Sequence, residues 1–139
     1  MKCTAVHAIE YEEPAADAIY SVGASIQFTD DTKLEAQFWR LRKNGIPLVS
    51  IFDHRQRYGL PAPIDALRLL RDELVGKEVF DAVMDKTTGD LCFRVDGDVV
   101  LEVFNITAFE MWAVTFPDGT RELSNYALSE PERVQFRPL

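Results

Sequence analysis

Short runs of alternating apolar and polar residues fill most of this chain, and residues that favour tight turns separate them. In the second half, Thr88-Gly89, Asp96-Gly97-Asp98 and Pro117-Asp118-Gly119 punctuate four such runs. A period of two puts successive side chains on opposite faces of a strand, so this spacing predicts an antiparallel meander. Strands are expected at 78–86 with Phe80, Ala82 and Met84 on one face, at 90–96 with Leu91, Phe93 and Val95, and at 98–105 with Val99, Leu101 and Val103. A last hairpin follows over 110–116 and 120–126, in which Trp112 reads as core filling, and periodicity then fades into a loose C-terminal tail from about 129.

The first half alternates less regularly. Strands are expected over 2–11, 24–29, 33–42 and 46–52, with Pro14 opening a turn or short helix through Ala18. Asn44-Gly45 is the strongest two-residue hairpin signal, because both residues tolerate positive φ. Within 33–42 the apolar parity runs Leu34, Ala36, Phe38 and then shifts to Trp39 and Leu41. A strand cannot change phase without a bulge or a strong twist, so a bulge is expected near Phe38-Trp39. One helix is predicted from Pro63 to Val75, with Ala66, Leu67, Leu69, Leu70, Leu74 and Val75 as its apolar stripe and Gly76 ending it. The fold class that follows is α+β: a single domain over 1–139, with a mostly antiparallel β-meander sheet packed against one main α-helix at about 63–75.

At 139 residues and 47% hydrophobic, the chain can bury a core without disulfides or metal. Cys3 and Cys92 are therefore expected as free thiols. The opening MKCTAVHAIEYEE lacks the charged-then-apolar order of a secretory signal, and no run reaches the roughly 18 apolar residues of a membrane span. A cytoplasmic chain without a membrane partner is the expectation. A net charge of −8 disfavours nucleic acid, whose affinity for proteins comes largely from Lys and Arg. The imbalance is uneven, with 9 basic and 11 acidic residues in 1–76 against 6 and 12 in 77–139. The meander thus holds most of the negative field, which would steer a basic partner.

Candidate chemistry is sparse. No nucleophile motif, phosphate-binding glycine loop or metal-ligand spacing occurs, so no catalytic residue, metal ligand or cofactor is assigned. The loop that begins at Asp53 carries Asp53-His54-Arg55 and Tyr58, and a histidine beside a carboxylate is raw material for acid–base work or anion binding. Adjacent residues on an extended chain point to opposite sides, however, so Asp53 is not placed to orient His54 as a triad acid would. With Trp39 as aromatic contributor, the candidate ligand-binding set is Trp39, Asp53, His54, Arg55 and Tyr58. A wider basic patch joining Trp39, Arg40, Arg42 and Lys43 to Arg55 and Arg57 is disfavoured by hairpin register. Continued along the strand, that register puts Glu35 opposite His54 and sends the two later arginines toward Asp30 and Asp31. Asp81 with Asp85 reads as a solvated face, and Asp96 with Asp98 as a turn, not as calcium ligands.

Two segments, YGLPAPIDALRLLRDELVGK (58–77) and EMWAVTFPDG (110–119), resemble small bacterial α+β domains of unassigned function, and some acidic domains of similar appearance are immunity proteins. The resemblance brings no catalytic residue with it. The expectation is a non-catalytic cytoplasmic protein-interaction domain, an immunity-type inhibitor of a basic partner. The alternative is a small-ligand binder or enzyme with a cleft near the 53–58 loop, and a third reading pairs two copies of the chain through an exposed sheet edge.

Overall fold

The computed structural model describes residues 1–9, 23–107 and 110–124. Their strands form two five-stranded antiparallel sheets instead of one. The first sheet is built, in spatial order, from β1 (Cys3–Ile9), β2 (Gly23–Phe28), β3 (Lys33–Ala36), β9 (Trp112–Thr115) and β10 (Arg121–Leu123). The second is built from β5 (Ile46–Ser50), β4 (Trp39–Lys43), β8 (Val99–Val103), β7 (Leu91–Val95) and β6 (Val79–Met84). One α-helix, α1 (Ala66–Leu74), is found among the described residues. The protein is therefore mostly β, and the meander β6-β7-β8 supplies three of the five strands of the second sheet. The turn or helix expected at 14–18 and the tail from 129 lie outside the described residues.

The expected strand at 33–42 is where the one-sheet picture fails. β3 ends at Ala36 in the first sheet, Gln37 and Phe38 turn the chain, and β4 begins at Trp39 in the second. The parity shift marks a corner at which a strand changes sheets, a larger event than a bulge. The chain makes the same crossing a second time alongside, from β8 into β9. Val103 pairs with Trp39 on one side of the bend and Trp112 with Ala36 on the other. At the bend itself Phe104 N donates to Phe38 O at 2.9 Å and Gln37 N to Met111 O at 2.9 Å. Because β3 stops here, Glu35 faces Ser25 and Ala113, not His54.

Local register follows from turn chemistry at the hairpins, and shifts interrupt it in three strand pairs, one of them β1-β2 between Cys3 and Ala5. Asn44 and Gly45 sit at φ 54° and 78°, so Lys43 pairs with Ile46 as the two-residue turn requires. A shift between Leu41 and Arg42 then brings Arg40 opposite Ser50, one residue off simple counting. A second shift, between Val79 and Asp81, breaks the expected Phe80-Ala82-Met84 face. Val79 and Ala82 are buried, and Phe80 is turned out to solvent.

Inward side chains of both sheets and of the helix form one apolar cluster. Phe28 of β2 stacks on Phe93 of β7 across the sheets, with centroids 6.4 Å apart. Trp39 and Trp112 are both core residues, and Trp112 Nε1 donates to Gly89 O at 2.7 Å. The helix starts at Ala66, not Pro63. Asp65 caps it by accepting from Arg68 N at 3.1 Å, while Ile64 bonds back to the preceding loop. Ala66, Leu67, Leu70 and Leu74 are its buried stripe, and Gly76 at φ 84° ends the turn. The helix packs against β1 and β5, one edge strand from each sheet, and Arg71 Nη2 donates to Val6 O at 3.0 Å. It joins the sheets instead of roofing one. Both cysteines are free, and burial pushes the Cys3 thiol up to about 11.

Candidate functional site

The loop between β5 and α1 is built on hydrogen bonds that the sequence pattern only half announces. Ser50 opens a 3-10 turn, Ile51–Asp53, by a reciprocal cap: Ser50 N donates to Asp53 Oδ2 at 2.7 Å, and Phe52 N donates to Ser50 Oγ at 3.3 Å. The other carboxylate oxygen of Asp53 accepts from the Tyr58 hydroxyl at 3.0 Å, which raises the phenol above its ordinary pKa. His54 turns the other way. Its Nδ1 accepts from Ala66 N at 3.1 Å, the first amide of α1, a donor with no partner inside the helix. An imidazole that accepts through Nδ1 is neutral and carries its proton on Nε2. Burial holds His54 below the usual imidazole range, with Arg55 adding to the depression and Asp65 opposing it.

Of the candidate ligand-binding residues, the structure thus brings Asp53 and Tyr58 together and fastens His54 to the helix. Arg55 is exposed on the same loop. Trp39, at 1% exposure, is sealed in the core and offers no face to a ligand.

Sequence reasoning missed the exposed apolar residues that flank these groups along the chain. Ile46 (68% exposed), Leu48, Phe52, Tyr58 (67%) and Leu60 all face solvent, and nine consecutive residues, 55–63, are exposed. Phe52 leans on Phe38, with ring centroids 5.5 Å apart. The loop is nevertheless tied: Arg55 N donates to Ile64 O at 2.8 Å, Ile64 N to Gln56 O at 2.9 Å and Leu60 N to Arg57 O at 2.7 Å. Arg55 and Tyr58 are held at φ 67° and 46°, where residues with a β-carbon rarely sit. A signal was present in the sequence. Ile46, Leu48 and Phe52 fall on even positions and the buried Val49 and Ile51 on odd ones, so apolar residues occupy both parities of this stretch and one set has to face outward.

Charges elsewhere are largely answered. Glu102, on the outer face of the second sheet, accepts from Arg40 at 2.8 Å and from Arg42 Nε. Asp81 meets Arg94 at 3.6 Å, and Glu73 lies between Lys43 at 3.0 Å and Lys77 at 3.2 Å. Asp85, Asp90 and Asp118 accept backbone amides in turns and loops. Among the described residues of 77–139, the carboxylates not named in these ion pairs thus lie largely at strand ends. Glu35 pairs with Lys33 at 3.3 Å and Arg121 at 3.5 Å, not with Arg55 or Arg57. It borders a cleft on the first sheet with Gln37, Glu110 and Arg121, of about 90 Å³, well under the ~300 Å³ at which small-molecule pockets begin. Among the described residues no three His, Cys, Asp or Glu side chains converge on a metal site, and no helix is long and apolar enough to cross a membrane.

No protein-family model, curated protein or solved structure matches the chain.

Proposed function

We propose that this chain is a non-catalytic, cytoplasmic protein-interaction domain, of the kind that inhibits a partner by covering it, and that it binds through the surface formed by β5 and the 52–63 loop. The observation that carries this reading is a division of labour within one loop. Its polar candidates, Asp53 and His54, are bonded inward, while Phe52, Tyr58 and Leu60 face solvent beside Ile46 and Leu48. Apolar surface gathered in one place and mounted on a bonded scaffold is a feature of binding sites, whereas apolar residues scattered singly need no explanation. A small-ligand site that uses His54 as a base fits less well, because an imidazole engaged by a backbone amide is not poised for that role.

The test is affinity capture from native cytosol by the full chain and by Leu48→Ser and Leu60→Ser variants of equal melting temperature. A stoichiometric protein retained by the first and lost by both variants supports the proposal. A specific rise in melting temperature with a metabolite, in place of any protein partner, overturns it.

A further inference from the structure

We infer that His54 is a proton-sensitive latch: protonation of its ring breaks the bond to α1 and releases the 54–65 loop while both sheets stay folded. The geometry makes the two events one. His54 Nδ1 accepts from Ala66 N at 3.1 Å, whereas an imidazolium carries a proton on each nitrogen and accepts at neither, so turning the ring over does not restore the bond. The positive end of the helix dipole also repels a cation. Burial is the largest obstacle to a proton on the ring; Asp65, the cap of α1, favours one and Arg55, beside it on the loop, opposes it. Further along α1, Arg68 lies 3.9 Å from Asp72 and Arg71 is bound to Val6 O. β5, which carries the loop, has no titratable residue, and β1, against which α1 also packs, carries the exposed His7 and Cys3, whose buried thiol is pushed up to about 11.

The loop is built to move as a unit. Arg55 N to Ile64 O, Ile64 N to Gln56 O and Gln56 N to Asp53 O close it on itself, so these bonds travel with it. Residues 55–63 are exposed throughout, and segments with few buried apolar contacts open at a smaller free energy than the core. Arg55, next to the latch, is held at φ 67°, a strain that release of the ring lets it shed. What the latch controls rests on the interaction reading above. The proposed surface has two parts: Ile46 and Leu48 belong to β5, which is paired with β4, whereas Tyr58 and Leu60 ride on the loop. Release separates the parts and weakens binding without unfolding the protein. Because the folded ring takes up its proton below the usual imidazole range, the latch is closed above about pH 6.5 and opens as pH falls through the lower folded value.

The test is amide hydrogen exchange followed by NMR on the full chain, wild type and His54→Asn, from about pH 7.5 to about pH 5, expressed as protection against the intrinsic rate at each pH. In wild type the protection of Ala66 N should fall at least about threefold on acidification, in step with titration of the His54 ring, while Leu41 and Leu101 of the second sheet keep theirs. In His54→Asn the protection of Ala66 N should stay level. A level response in wild type, a parallel loss at Leu41 and Leu101, or an acid loss that persists in His54→Asn overturns the latch. None of these readings involves a partner, so they decide the latch whatever becomes of the interaction reading. A protein captured at about pH 7.5 should elute at about pH 5 at least about threefold more from wild type than from His54→Asn. Equal elution overturns the control of binding and leaves the interaction reading standing, whereas capture of no protein at either pH overturns that reading and, with it, the control of binding.

Discussion

Replacing His54 by alanine removes the acceptor for the first amide of α1 and should destabilise the fold measurably. Ala66 is completely buried with the imidazole in place, and an alanine at 54 offers its amide no acceptor. Leaving a buried donor unsatisfied costs about 1–3 kcal/mol, and removing a helix N-terminal acceptor about 1 kcal/mol, so about 2 kcal/mol is expected. For a chain of this size that corresponds to a fall in melting temperature of about 8 °C. His54→Asn is the control, because an asparagine Oδ1 sits near the place of the imidazole Nδ1 and can accept the same amide without titrating. The pH dependence has a definite sign. Burial lowers the pKa of His54 in the folded state, so on acidification the unfolded chain takes up a proton first, near pH 6.5. The stabilisation from this contact is complete above that value and declines as pH falls through the lower folded pKa. Calorimetry of wild type and both variants between about pH 7.5 and 5 should show an acid-dependent loss in wild type that His54→Asn lacks. A His54→Ala protein melting with wild type, or an unchanged acid loss in His54→Asn, refutes the assigned contact.

Trp112→Phe removes the donor to Gly89 O and leaves a small cavity in the core, and should lower stability by at least about 1–2 kcal/mol in denaturant titration without changing the slope. Glu102→Ala leaves Arg40 and Arg42 without their shared carboxylate and should cost about 1 kcal/mol, with a smaller loss at high salt because wild type is then screened as well. Cys3, buried and shifted to about 11, should resist a disulfide reagent at about pH 8 in the native protein and react at once in denaturant; prompt labelling of Cys3 in the folded state would contradict its placement.

What was legible in the sequence was local. The Asn44-Gly45 hairpin, the meander β6-β7-β8, the helix stripe and the left-handed end at Gly76 all rest on residues within a few positions of one another. The parity shift at Phe38-Trp39 was visible too, but its scale was not, because periodicity reports a change of face and says nothing about which sheet receives the next strand. Partnership of β3 with β9 joins Leu34 to Val114, and no spacing rule reaches so far along a chain. The bulge at Phe80 misled the face assignment for the same reason that bulges matter: one extra residue reverses every later side chain. In the candidate site, Asp53, His54 and Tyr58 stood out in the sequence as candidate ligand-binding residues, whereas the hydrogen bonds they make within the chain did not. His54 finds its amide twelve residues on, in a helix whose first residue depends on the loop itself.

The double crossing at the corner has a consequence for the order of events during synthesis. β3 receives its second neighbour only when β9 is made, and Ala36 and its partner Trp112 are 112 − 36 = 76 residues apart. At ribosomal speeds that gap lasts roughly 4–15 s, during which the first three strands have no outer hairpin beside them. The second sheet, by contrast, has all five of its strands once Val103 has been added. The middle of the chain can therefore organise first and serve as the template on which the two ends are later brought together.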